Sequence, residues 1–185
     1  MILETAYCSI RLVDLNDADF IVDLRKRSEQ QGFVSKSQLD TEAQKAWIAS
    51  YKEKESTGKE YYFITEANGK KYGVMRLYNI ESNSFTSGSW IFLDGSPNQI
   101  SITTNILIRK FGFEYLNKEI NYYDVRKANK QVIEYNNLFG PEYVREDELS
   151  NYYLCRRTVF MNKAKRLSRL CGVDFGKDIN SYIQF

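Results

Sequence analysis

The residues best suited to chemistry lie in one stretch, Tyr122-Tyr123-Asp124-Val125-Arg126-Lys127-Ala128-Asn129-Lys130-Gln131-Val132-Ile133. A short apolar strand runs into a polar turn, and Asn129 then opens an amphipathic helix that ends near Phe139-Gly140. An asparagine at a helix start accepts from a free backbone amide, and its side chain can also donate to and accept from a peptide-like ligand. Taken alone, the segment reads first as an ordinary helix cap. Histidine is absent, which removes Ser-His-Asp and Cys-His nucleophile arrangements and most catalytic zinc sites. Cys8, Cys155 and Cys171 are odd in number, widely spaced and without a C-x-x-C pair, so neither a disulfide framework nor a structural metal is indicated. Chemistry here must rest on carboxylates, tyrosines, backbone amides or the substrate itself.

The elements that must position these residues are legible in outline. Residues 9–13 read as a strand with Ile10 and Leu12 on one face. Asn16 starts a helix carrying Phe20, Ile21 and Leu24, and a polar stretch around Gly32 follows. Thr41-x-x-Gln44 has the form of a capping box, opening a second helix that buries Trp47, Ile48 and Tyr51. Residues 61–67 and 72–79 form a hairpin about Asn68-Gly69, because both turn positions tolerate positive φ. Residues 84–93 make a further strand. Residues 98–116 repeat Ile100, Thr104, Leu107, Ile108, Phe111 and Tyr115 at helical spacing. The strand 121–125 and the helix from Asn129 come next, then two strands at 143–149 and 152–160.

At 185 residues the chain suits one domain, residues 1–160, with an extension at 161–185. In that extension Lys163, Lys165, Arg166 and Arg169 lie on a short basic helix with Leu167, Leu170 and Val173. It packs on the domain or on a partner subunit, which leaves a homodimer open. Apolar residues at 43% and charged residues at 27% are ordinary for a soluble protein. A net charge of +2 is too small to argue for nucleic acid. No apolar run approaches the roughly 20 residues that span a bilayer, and residues 1–5 lack the regions of a signal peptide. These features point to a cytoplasmic protein.

In order and spacing, several motifs between residues 9 and 160 resemble GNAT-type acetyltransferases. They are Ile10-Arg11-Leu12, Thr41-x-x-Gln44-x-x-Trp47-Ile48, Tyr62-Phe63-Ile64, Gly73-Val74-x-Arg76-Leu77 and Val125-x-x-x-Asn129-x-x-x-Ile133. Within that superfamily the branch with ribosomal-protein-alanine and nucleotide-sugar amine acetyltransferases is most similar. The resemblance implies an α+β fold, an α/β/α sandwich whose mixed, mostly antiparallel sheet splays between two parallel strands. It implies that acetyl-CoA enters that gap, with no metal, and that a small-molecule amine attacks the thioester directly.

The same resemblance assigns residues. The cofactor arm would meet the backbone of Ile91, Phe92 and Leu93 and the side chain of Asn129. The pyrophosphate would lie over Asn98, Gln99, Ile100, Ser101 and Ile102, although Ser96-Pro97-Asn98-Gln99-Ile100-Ser101 lacks the glycines and the basic residue usual there. A tyrosine that protonates the departing thiolate stands seven residues after the Asn in relatives. Here that position is Asn136, and Tyr135, beside it, is either an acid or a core ring. For the acceptor, Arg25 and Arg27 could pair with phosphate, Tyr61, Tyr62 and Tyr78 could stack a base or sugar, and Arg76 is a further substrate-binding candidate. Glu81 and Asp94 are the nearest acids to serve as base, with a water relay as the alternative. An amino-sugar nucleotide is the expected acceptor. A protein N-terminus, or a non-catalytic module with a decayed cofactor loop, are the other readings.

Overall fold

Turn chemistry and strand alternation build the sheet. Asn68 and Gly69 take φ of 51° and 72°, the left-handed pair that matches a two-residue turn to the twist of its strands. The computed structural model describes residues 1–30, 32 and 40–184; most of the polar stretch around Gly32 lies outside the described residues. The strands are β1 (Ile2–Glu4), β2 (Ser9–Leu12), β3 (Tyr61–Ala67), β4 (Lys70–Tyr78), β5 (Ser84–Phe92), β6 (Ile120–Arg126), β7 (Glu142–Glu146), β8 (Ser150–Arg156) and β9 (Ile183–Gln184). They form one sheet in the order β7-β8-β6-β5-β4-β3-β2-β1-β9. β5 and β6 run parallel, and the other neighbours are antiparallel.

Helices cover both faces. α1 (Ala18–Gln30) and α2 (Thr41–Ser56) pack on one side, where Ile21, Leu24, Ile48 and Tyr51 meet Tyr62, Ile64, Val74 and Ile91. On the other side lie α3 (Asn98–Glu114), α4 (Lys130–Asn137), α5 (Arg157–Ala164) and α6 (Ser168–Cys171), and there Phe63, Met75, Leu77 and Phe85 meet Leu107, Ile108 and Phe111. The period-two alternation of β3 and β4 thus feeds two cores, giving the α/β/α sandwich. α3 comes close to β5 because Gly112 has no side chain: a Cβ there would stand 2.4 Å from the Phe85 ring.

Several local expectations change. α2 is capped by Asp40, whose side chain accepts from Ala43 N at 2.7 Å, rather than by Thr41. Trp47 is 36% exposed, stacked on Tyr51 at 5.6 Å instead of buried. Residues 157–160 start α5 instead of ending a strand, so a boundary at 160/161 falls inside a helix. Ala164, Cys171, Val173, Ile179 and Tyr182 share the α3-side core, and β9 pairs with β1.

One buried carboxylate ties β2 to the meander. Asp17 is fully buried and accepts from Arg11 Nη1 and Nη2 at 2.7 and 2.8 Å, from Lys71 Nζ at 2.6 Å and from its neighbour Asp14 N at 2.8 Å. Burial pushes its pKa up, but Arg11, the Asp14 amide and Lys71 outweigh that, and the net direction is down. Its stabilising effect is therefore complete above the ordinary Asp range and is lost as pH falls through the depressed folded value. Asp17→Asn should lower unfolding free energy by about 3 kcal/mol at pH 7, read by urea titration. The gap between variant and wild type should narrow as the pH is lowered below about 4.

Candidate active site

Parallel pairing of β5 with β6 is confined to three rungs, Ser84↔Ile120, Phe85↔Asn121 and Thr86↔Tyr122. Beyond them residues 88–92 of β5 pair back to β4, and Tyr123–Arg126 of β6 pair with β8. At the point of parting, the buried Asn121 donates through Nδ2 to Ser87 Oγ at 2.9 Å. A bulge follows at once: one residue of β4, Met75, faces Ser89 and Trp90, and Ser89 takes φ of 51°. Such an extra residue bends and twists its strand. The two strands therefore part into a cleft of about 640 Å³, the size of a small-ligand site.

The α3 side of the cleft is walled by Trp90, Asn105, Val132, Tyr135 and Asn136. Trp90 stacks on Tyr135 at 5.0 Å and donates through Nε1 to Ser101 O at 3.2 Å. Tyr135 donates its hydroxyl to Asn105 Oδ1 at 3.2 Å and packs edge-on against Phe139. Burial holds its pKa well above the usual phenol value, against the opposing pull of Arg109. The hydroxyl is therefore a fixed neutral donor. Asn136 donates to Val132 O at 2.9 Å and accepts from Arg109 Nη1 at 3.4 Å.

The mouth of the cleft suits an anion and an amide. α3 begins after Pro97 with no side-chain cap and no acid in its first turn, so its leading amides and dipole favour a phosphate. Gly95, at φ 74°, lies in the turn just before and lines the cleft. The flexible residue missing from 96–101 is therefore present one position earlier. Asn98, Ser101 and Ile102 line the cleft, whereas Gln99 and the buried Ile100 do not. Ile91, Phe92 and Leu93 line it along β5. Across from them Asn129 caps α4, its Oδ1 accepting from Val132 N at 3.2 Å.

The opposite, α1-side opening carries Arg25, Ser28, Tyr78, Asp124 and Arg126. Burial raises the Tyr78 pKa, and the nearby Asp124 charge adds to the rise. Arg76 and Glu81 stand outside the cleft. Arg76 binds the buried Glu60 through Nε at 2.8 Å and lies over the Trp47 and Tyr78 rings. Glu81 belongs to the turn before β5, where its backbone amide donates to Ser84 O at 2.9 Å. Tyr61 and Tyr62 are core rings and Arg27 is surface charge. Sequence reasoning quoted Asp124 within its leading stretch but gave it no role, although an acid alternating with Tyr123 and Val125 in a strand was a usable signal. It also missed Trp90, Asn105, Tyr123 and Arg109. Among the described residues no cluster of His, Cys, Asp and Glu forms a metal site, and no helix is long and apolar enough to cross a membrane.

No protein-family model matches the chain, and no curated protein matches it. Solved structures do. FdhC, described as a nucleotide-linked sugar GNAT, superposes with a TM-score of 0.83 at 31% identity over 93% of this chain and 99% of its own. The chain belongs to the GNAT family. It is by class an acetyl-CoA-dependent N-acetyltransferase. Two further GNAT structures share the fold at lower identity. The ribosomal-protein-S5-alanine acetyltransferase of Vibrio fischeri matches at TM-score 0.73 and 14% identity, covering 84% of this chain and 96% of its own. The Vibrio cholerae spermidine N-acetyltransferase, solved with CoA and spermine, matches at 0.67 and 15%, covering 85% and 99%.

The hydrogen bond to Asn105 and the raised pKa favour a supporting ring over an acid at Tyr135. Tyr135→Phe should cost about 1 kcal/mol of stability and lower kcat less than tenfold, where loss of a general acid would cost about a hundredfold or more. Urea titration and steady-state acetyl transfer read the two effects.

Proposed function

We propose that this GNAT transfers an acetyl group from acetyl-CoA to the primary amine of a nucleotide-linked amino sugar. The observation that carries the substrate class is the 31% identity with a nucleotide-linked sugar GNAT over nearly the full length of both chains. The acceptor opening adds chemical support. Arg25 and Arg126 supply guanidinium groups suited to a diphosphate. Tyr78 offers a ring face and hydroxyl, and Asp124 offers a carboxylate for the amine.

The residues present fit acetyl-CoA. Beyond the third rung the β5 backbone at Phe92 faces away from β4 and offers peptide groups to an extended amide-bearing arm, while the Leu93 amide donates to Tyr72 O at 2.8 Å and its carbonyl accepts from Ser96. Asn129 commits Oδ1 to its cap, which leaves the donor end of its amide for a carbonyl of that arm. The α3 N-terminus, with Asn98 and Ser101, takes the pyrophosphate. Acetyl-CoA supplies an acyl group already activated as a thioester. The protein's part is to hold amine and carbonyl in line and to aim a β5 amide near the bulge at the carbonyl oxygen. Asp124, directly or through one water, removes the amine proton.

Four measurements test this reading. Acetyl-CoA at 100 times its dissociation constant should add about 2.7 kcal/mol of stability, visible as a rise in Tm. No rise at millimolar acetyl-CoA rejects the cofactor assignment. A panel of nucleotide-linked amino sugars, polyamines and peptide N-termini, read by thiol release, should show turnover with the first group. Turnover of peptides alone would replace the substrate class but keep the chemistry. Asn129→Asp should retain the cap yet weaken acetyl-CoA binding, whereas Asn129→Ala should also lose about 1 kcal/mol of stability. Asp124→Asn should lower kcat/KM about a hundredfold, read by the same thiol-release assay.

A further inference from the structure

Arg109 is a charge in the wrong place for a structural residue. It sits three turns into α3, is 1% exposed, and makes no ion pair among the described residues. Its guanidinium lies 4.3 Å from the Phe160 ring centre and 5.1 Å from those of Tyr123 and Phe139. Nη1 donates to Asn136 Oδ1, while Nε and Nη2 have no partner. The Tyr123 hydroxyl beside it is likewise buried and unpartnered. Arg109, Tyr123 and Asn136 all line the cleft where β5 and β6 separate.

The Arg109 guanidinium has no acceptor and can only give hydrogen bonds and positive potential, and the Tyr123 hydroxyl has a proton to give beside it. A buried cation facing rings and an amide is costly unless something negative comes to it. The titratable groups around it are Tyr123 on β6, Tyr135 on α4 and Cys155 on β8. Burial raises the pKa of each, so all are neutral near pH 7 and none supplies the missing anion. The negative charge must arrive from the cleft.

α4 says where. Asn129 stands at the cleft mouth and Asn136 seven residues on, about 10 Å along the helix. An arm whose amide meets Asn129 and which runs beside α4 brings its terminal sulfur to Asn136. Asn136 is itself held by Arg109. We propose that Arg109, acting across Asn136 and with the Tyr123 hydroxyl, stabilises the CoA thiolate as it departs, in place of a proton donor. The inference rests on the acetyl-CoA reading above. In the step, the amine lone pair forms the C–N bond and the C–S bond breaks. The bonding pair stays on sulfur, and the ammonium proton passes to Asp124 or water. The thiolate is protonated later from solvent. The intact thioester is neutral, so the buried charge acts on sulfur only as the bond breaks, which is where an interaction accelerates a reaction.

The test reads the thiol itself. Bind CoA to the protein and follow thiolate ultraviolet absorbance against pH, with thermal shift confirming that CoA is bound. The bound thiol should titrate at least about one pKa unit below free CoA, a tenfold gain in thiolate. Arg109→Met should return it to the free value, and Arg109→Lys should recover part of the depression. If CoA binds and its thiol titrates as in solution, or if Arg109→Met leaves the depression intact, the proposal falls. If CoA does not bind at all, the acetyl-CoA reading fails first, and with it the premise. Should Arg109→Met not fold, the wild-type protein still decides. Affinity for CoA should rise with pH above the depressed thiol pKa while affinity for desulfo-CoA stays flat. Parallel pH profiles for the two would overturn the proposal.

Discussion

Three rungs of parallel pairing hold the two halves of the sheet together, and the clamp from Asn121 to Ser87 marks where they stop. Past that point the main-chain groups on the facing edges of β5 and β6 have no strand to satisfy them. Backbone polar groups away from water must find partners, so a parted sheet is a standing requirement for a peptide-like ligand or ordered solvent. The other parts of the site follow from the parting. The α3 N-terminus and the Asn129 cap lie at the open end, and α4 runs down one wall toward the clamp. The two helical layers give the cleft two distinct mouths.

The electrostatics divide the same way. At the α1-side opening the charges are mixed: Arg25 and Arg126 with Asp124. That mixture suits an acceptor with phosphates and an amine. At the closed end Arg109 stands alone among rings. Cation–π contact with Phe160, Tyr123 and Phe139 softens the burial of the guanidinium but does not neutralise it. The far side of the molecule handles charge differently: Asp17 is buried with Arg11 and Lys71 around it, and Glu60 with Arg76. The contrast separates charges matched within the fold from one left for a visitor.

Much of this was legible before any coordinates. The Asn68-Gly69 hairpin, the strand before Asn129 and the helix Asn129 caps are local signals, and local chemistry decided them. The splay came through resemblance, since nothing in the residues of β5 alone announces a bulge at Ser89. Arg109 was hidden for a physical reason. In Leu107-Ile108-Arg109-Lys110-Phe111 the two basic residues look like the solvent face of an amphipathic helix. α5, α6 and the segment leading to β9 cover that face, so α3 is buried on nearly every side and both cations are enclosed, Lys110 beside Glu114. β1 and β9, of three and two residues, are too short to show a period, and the two apolar residues of Arg157-Thr158-Val159-Phe160 are too few to tell a strand end from a helix start.

The extra residue in β5 also constrains how its gene can drift. Before Ser89, Phe85 and Ser87 face α3; after it, Trp90 and Phe92 do, while Ile91 turns to the α1 side. Parity flips inside one strand. A single-codon deletion at Ser89 would leave Trp90 and Ile91 on the faces they now occupy but would remove the bulge, and with it the bend that helps part β5 from β6. The strand can therefore exchange one amino acid for another far more readily than it can change in length.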